Sequence, residues 1–180
     1  MPGGTYFFTV VTDSRRPLFA DASARKMLGG LFRECRVQWP FEIHSIVLLP
    51  DHLHALWSLP RGDAVYSKRW AWIKRQFTKR WLAIGGSETE ITEGRKRDGR
   101  RGVWQPKFWE HTIEDEGDME RHIDYVHDNP VKHGYVRCPV EWQWSSFHRW
   151  VNNEAYPRNW GCTHLSPQLK FDDIEKSVGE

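Results

Sequence analysis

Thr5 to Thr12 (TYFFTVVT) is a run of aromatic and β-branched residues that stops at the turn formers Asp13-Ser14-Arg15-Arg16-Pro17, which predicts a first strand. From Leu18 to Cys35, apolar positions 24, 27, 28, 31 and 32 recur three and four apart, the spacing of a helix lying on a sheet. Phe41, Ile43, Ser45, Val47 and Leu49 then alternate with Glu42, His44, Ile46 and Leu48. That period-two strand stops at Pro50-Asp51, and His52 to Leu59 resumes in extended form, so the pair reads as a hairpin. Ala64 to Ile84 predicts a second helix with Trp70, Ile73, Phe77, Trp81 and Ile84 on one stripe and Gly85-Gly86 at its end. Val103 to Ile113 reads as a further strand with an edge proline. A third helix, from about Glu116 or Asp118 to about His127, carries Met119, Ile123 and Val126 as its buried stripe, and Pro130 is expected to end it by disfavouring helical geometry at Asn129. An aromatic segment follows at Trp142, Trp144, Phe147 and Trp150, and from about Pro157 periodicity fades.

The order β-α-β-β-α-β-α predicts an α+β fold: a ferredoxin-like antiparallel sheet covered by helices, with an added C-terminal helix. Residues 1–156 are expected to form a single domain and residues 157–180 a loose tail. A chain of 180 residues, 39% hydrophobic and 28% charged, suits one core. It contains no apolar stretch long enough for a membrane span and no secretion-signal pattern, so a cytoplasmic protein is expected. Three cysteines, Cys35, Cys138 and Cys162, without short spacing argue against a disulfide framework and a thiolate zinc site, and read as inert core thiols.

Charge changes the picture more than composition does. The net value of +2 hides a basic block from Lys68 to Lys107, with twelve Lys/Arg against four acids, followed by Glu110 to Asp128 with eight acids and one Arg. Aromatic residues recur inside the basic block at Trp70, Trp72, Phe77, Trp81 and Trp104, the pairing expected of a polynucleotide groove. Ser87 to Gly102, polar and basic, reads as a mobile surface loop.

His52 and His54 stand two apart on a strand, so both rings project from one face and can share a metal ion. A histidine-triad hydrolase needs a third His where Leu56 stands, and an H-x-T phosphoesterase needs a Thr where His54 stands. Tyr125 has Asn129 one helical turn later and His122 three residues before it on the same side. A phenol attacks phosphate poorly near neutral pH, because its pKa is about 10, unless a cation polarises the phosphate.

These residues resemble a known family. LLPDHLHALW (Leu48 to Trp57) is similar to the histidine-hydrophobe-histidine motif of single-tyrosine HUH transposases, and YVHDNPVKHGYV (Tyr125 to Val136) to their catalytic helix. WSS at Trp144 to Ser146 resembles a signature of the REP-associated tyrosine transposase branch. The resemblance implies a metal-dependent endonuclease and strand transferase of single-stranded DNA that forms a covalent 5′-phosphotyrosine bond. It makes Tyr125 the nucleophile and His52, His54 and Asn129 the ligands of Mg²⁺ or Mn²⁺. Asp51 stands where many relatives carry Asn, and could orient His52. Substrates would be hairpins of repetitive palindromic DNA. Their phosphates would be held by Lys68, Arg69, Lys74, Arg75, Lys79 and Arg80 of the second helix and by Arg95, Lys96, Arg97, Arg100 and Arg101 of the loop. A monomer and a homodimer with exchanged helices both fit. The competing readings are a protein that binds structured nucleic acid without cutting it, and a replication initiator or relaxase, which would usually carry further domains.

Overall fold

A computed structural model of the chain describes residues 3–165 and 169–178. Four strands, β1 (Thr5–Val11), β2 (Glu42–Leu48), β3 (His52–Ser58) and β4 (Trp109–Thr112), form one sheet in the order β2-β3-β1-β4, and every neighbouring pair is antiparallel. Helices α1 (Ala22–Gln38) and α2 (Tyr66–Ala83) supply the two crossovers, and α4 (Glu116–Lys132) follows β4 after the short α3 (Glu93–Arg97). This is the ferredoxin-like α+β arrangement expected from the element order, with the extra helix in place.

Side chains alternate across a pleated strand, so each strand feeds two cores. Phe8 and Val10 of β1 and Leu53, Ala55 and Trp57 of β3 pack with Leu28, Leu31, Phe32, Trp70, Ile73 and Phe77 of α1 and α2. On the other face Phe7 of β1 and Leu56 of β3 pack with Ile123, Tyr125 and Val126 of α4. In β2 a bulge at His44, where Ile43 pairs with Trp57 and Ser45 with Leu56, reverses the alternation. Phe41 and Ile43 therefore join the first core, whereas Val47 and Leu49 join the second.

Local signals set the helix ends. The Asp21 carboxylate accepts from the amides of Ser23 (2.7 Å) and Ala24 (3.0 Å), which starts α1 four residues after the predicted Leu18. After α2 the chain turns at Gly85 with φ +82°, and a Cβ on Gly86 would lie 2.2 Å from the Trp81 ring.

Several expectations need correction. Pro130 does not end α4, which runs on to Lys132. Buried Val131 anchors the last turn, and the amides of His133 and Gly134 close it on Asn129 and Val131. The predicted strand from 103 to 113 splits, because Pro106 has no N–H to give. Trp104 bridges Thr12, and only 109–112 pair as β4. The basic loop is tied down: Thr89 and Arg95 both donate to the buried carboxylate of Asp13, Arg95 at 2.6 Å, and Thr89 N donates to Gly102 O at 2.8 Å. Cys138 and Cys162 are joined in a disulfide, while Cys35 is the buried thiol expected. In the segment read as a loose tail, α6 (Asp172–Val178) is helical, and Phe171 and Ile174 are buried in the second core. The short α5 (Phe147–Asn152) lies between α4 and α6 in the chain.

Candidate active site

Antiparallel pairing brings Thr9 opposite His54 and Val11 opposite His52. Thr9 Oγ1 lies 2.9 Å from His54 Nδ1, and the Asp51 carboxylate 2.6 Å from His52 Nδ1. Each imidazole is thus held through Nδ1, the arrangement in which a histidine can offer Nε2 to a metal. Burial works against the charge on Asp51, yet the His52 hydrogen bond and the Arg15 guanidinium, 3.3 Å away, hold its carboxyl below the usual range. The two rings stand 4.9 Å apart, centroid to centroid, and both are buried.

Helix α4 packs against β2 and β3 and delivers Tyr125 to this place. Its ring centre is 5.2 Å from that of His54 and 5.9 Å from that of Phe7. Lys132, two turns on, donates to the Tyr125 hydroxyl at 3.4 Å. Asn129, one turn on, is completely buried, and neither its Oδ1 nor its Nδ2 has a hydrogen-bond partner among the described residues. A buried amide left in that state is costly unless something else uses it. Two imidazoles and an amide oxygen fit a divalent ion that completes its shell with phosphate and water oxygens. Tyr125 is fully buried, packed among residues of β1, β2, β3 and α4 and against the Phe171 ring at 5.5 Å.

Around the site, buried polar residues have defined duties. Burial and the nearby Arg149 push the His127 imidazole down to about 3. Its Nε2 lies 2.9 Å from Ser146 Oγ, which also accepts from Ile46 N at 2.9 Å. Ser146 of the WSS triplet therefore ties α4 to β2. Asp128 is buried with no partner for either oxygen among the described residues, and burial together with the Asp124 carboxylate pushes it up to about 7. His122 is not at the metal-facing position: it bonds Asp118 and stacks on His111 at 4.8 Å.

The residues proposed for phosphates separate into groups. Arg69 must be withdrawn as a surface contact, because it is buried and donates to Asp63 (2.7 Å) and to the carbonyls of Pro40 and Val65. Lys74 is partly buried and donates to Gln105 O, and burial with the neighbouring Arg100 pushes it down to about 8. Arg80, Arg95, Lys96 and Arg101 pair with Glu34, Asp13, Glu93 and Glu88, and Arg100 lies 3.8 Å from Asp98. Lys68 lies over the Trp39 ring, whereas Arg75, Lys79 and Arg97 are exposed with no ion pair found among the described residues. Lys74, Arg75, Lys79, Arg95, Arg100 and Arg101 nonetheless line one cleft of about 600 Å³ with Trp104 at its wall. Of the tryptophans in the aromatic C-terminal segment, Trp144 is exposed and carries Arg25 4.3 Å over its ring. Thr9, Lys132 and His133, whose ring centre lies 5.2 Å from that of His52, were not singled out in the sequence. Lys132 had a signal, since it stands seven residues after Tyr125 on the same helical side.

Residues 3–129 match the model of a family described as IS200-like transposases. The chain belongs to that family. The transposase is 40% identical over 169 residues to a Haemophilus influenzae protein named as a candidate REP-associated tyrosine transposase, covering 94% of this chain and 92% of that protein. It is 39% identical over 158 residues to the REP-associated tyrosine transposase of Escherichia coli (strain K12), covering 88% and 85%. A solved structure of a REP-associated tyrosine transposase bound to a REP hairpin superposes with a TM-score of 0.74 at 36% identity, over 96% of this chain and 91% of the other. The chain is a tyrosine transposase of the REP-associated branch. None of its described helices is long and apolar enough to cross a membrane.

Proposed function

We propose that this transposase is a Mg²⁺- or Mn²⁺-dependent endonuclease and strand transferase that cuts single-stranded DNA beside a hairpin, in the cytoplasm. What supports this is the meeting of His52 and His54 from one strand with Tyr125 from α4, on which the buried Asn129 follows one turn later. His52, His54 and Asn129 would hold the ion, which supplies Lewis-acid polarisation of the scissile phosphate. The Tyr125 oxygen attacks phosphorus as the bond to the 3′-oxygen breaks, giving a 5′-phosphotyrosine and a strand that leaves with a 3′-hydroxyl. The Tyr125 proton passes to solvent, and the departing oxygen takes one up. Lys132 donates to the phenol oxygen, a hydrogen bond that strengthens as negative charge grows there. Attack by another 3′-hydroxyl reverses the step and joins strands.

Tyr125 and His54 of one chain stand 5.2 Å apart, which supports action in cis by a monomer. Phe171 covers the tyrosine, so DNA entry requires α6 to lift. The basic cleft between α2 and the 95–101 segment is suited to hairpin phosphates, and exposed Trp144 and Tyr135 to stacking on unpaired bases.

The test is incubation of the purified chain with a hairpin oligonucleotide labelled on either side of the cut, with Mg²⁺, Mn²⁺ or chelator. One labelled fragment is expected to migrate with the protein on a denaturing gel only when metal is present. Tyr125→Phe is expected to reduce that adduct at least about a thousand-fold. Retention of an uncut oligonucleotide with either ion would leave a binding protein, and an undiminished adduct in Tyr125→Phe would remove the tyrosine from its role.

A further inference from the structure

Far from the histidine pair in sequence, Cys138, Cys162 and His164 gather three soft or borderline ligand atoms, all within 4.8 Å of one another. Short turns fix them. Cys138 precedes the 3₁₀ turn Pro139–Glu141, where the Glu141 carboxylate accepts from the amides of Arg137 (2.9 Å) and Cys138 (3.2 Å). Opposite, Thr163 N donates to Arg137 O at 3.0 Å, and Leu165 N to Cys162 O at 3.1 Å. His164 Nδ1 stands 3.9 Å from Cys138 Sγ. Bond lengths of about 2.3 Å for Zn–S and 2.0 Å for Zn–N in a tetrahedron put sulfur and nitrogen about 3.5 Å apart and the two sulfurs about 3.8 Å apart. The imidazole is already close to that spacing. Only the sulfurs must part, as they do when the disulfide is reduced. Both cysteines are buried, and His164 is exposed, leaving the solvent side for a fourth ligand such as water.

We propose that, when the Cys138–Cys162 disulfide is reduced, Cys138, Cys162 and His164 bind one Zn²⁺. A dithiol reductant takes up the bond: it is oxidised to its own disulfide, and its two electrons and two protons give two cysteine thiols. Zinc then displaces both thiol protons and is held by two thiolates and the imidazole, with water completing the site. Either cross-link closes the same loop at the end of the α4 region. Pro139 and Asp128 lie within 3.4 Å of where a Gly161 Cβ would stand, so the clamp abuts α4. Inside the loop are Trp142, whose indole donates to Leu48 O at 3.0 Å, and Ser145 and Ser146, which pin the chain to β2. The site therefore holds these residues against the sheet in reducing conditions, where the disulfide opens.

The full chain, reduced with a dithiol and freed of reductant without oxygen, is titrated with Co²⁺ as a spectroscopic stand-in and then with Zn²⁺. One Co²⁺ per chain is expected to give a thiolate-to-cobalt charge-transfer band that Zn²⁺ abolishes. Cys138→Ser and Cys162→Ser are expected to lose the band. His164→Ala, at an exposed position, keeps the fold and is expected to weaken binding by more than the about tenfold that loss of an outer partner costs at least. His52→Ala is expected to keep the band, since an imidazole–amide site yields no thiolate transition. No band in the reduced parent, a band that survives Cys138→Ser, or unchanged affinity in His164→Ala would each overturn the site. None of these outcomes bears on whether Tyr125 cuts DNA.

Discussion

On the α1/α2 side of the sheet, β3 contributes Leu53, Ala55 and Trp57; on the α4 side the same strand contributes His52, His54 and Leu56. The first side is filled by aromatic contacts, with Trp57 stacked on Trp70 at 4.4 Å and tilted against Phe41 at 4.3 Å. The second buries His52, His54, His127, Asp128 and Asn129, and the side-chain polar atoms of Asp128 and Asn129 have no hydrogen-bond partner among the described residues. Burying polar groups without partners opposes folding. An apolar face therefore carries the stability that lets the opposite face keep groups of use to chemistry.

The contrast can be broken from either side. Trp57→Ala is expected to cost about 3–5 kcal/mol of unfolding free energy through the cavity it opens, while the fraction that stays folded still forms the DNA adduct. Denaturant melts combined with adduct yield per folded molecule separate the two effects.

Asp128→Asn probes the polar face. The buried carboxyl titrates near 7, above its unfolded value of about 4, so its contribution to stability is complete below pH 4 and is lost as pH rises through 7. The parent should therefore be less stable at pH 8 than at pH 5 on this account. Asn, which does not ionise, is expected to gain roughly 2–3 kcal/mol more relative to the parent at pH 8 than at pH 5, because over the roughly two pH units between 5 and 7 only the unfolded carboxyl has lost its proton. Melting temperatures at the two pH values check the sign. An equal shift at both would show that Asp128 is not the titrating group.

The smallest effect sharpens the comparison rather than breaking it. Phe171→Ala removes the ring that covers Tyr125 and is expected to raise the rate of adduct formation by up to about tenfold, with the parent's metal requirement unchanged. An unaltered rate would mean that α6 does not limit access.

Helices α1 and α2 were readable because each buries one stripe, β1 and β3 because each is a short extended run bounded by turn formers, and the His pair because a strand's period of two fixes which side chains share a face. The helix end at Pro130 was not readable: a local rule was overridden by tertiary burial of Val131. Arg69 looked like any other cation of α2, because nothing in its neighbours reveals that the carboxylate of Asp63 and the carbonyls of Val65 and Pro40 wait for it on the inside. The Cys138–Cys162 pairing spans 24 residues with no motif, and the order of the 89–102 segment depends on the distant Asp13. In each case the missing information lay in long-range contacts.

The most direct test is identification of the residue that carries DNA. The parent is reacted with the hairpin oligonucleotide and Mn²⁺, digested with protease and nuclease, and sequenced by mass spectrometry. A nucleotide joined through its 5′-phosphate to Tyr125 is the predicted result, and a phosphate linkage at any other residue would contradict the account.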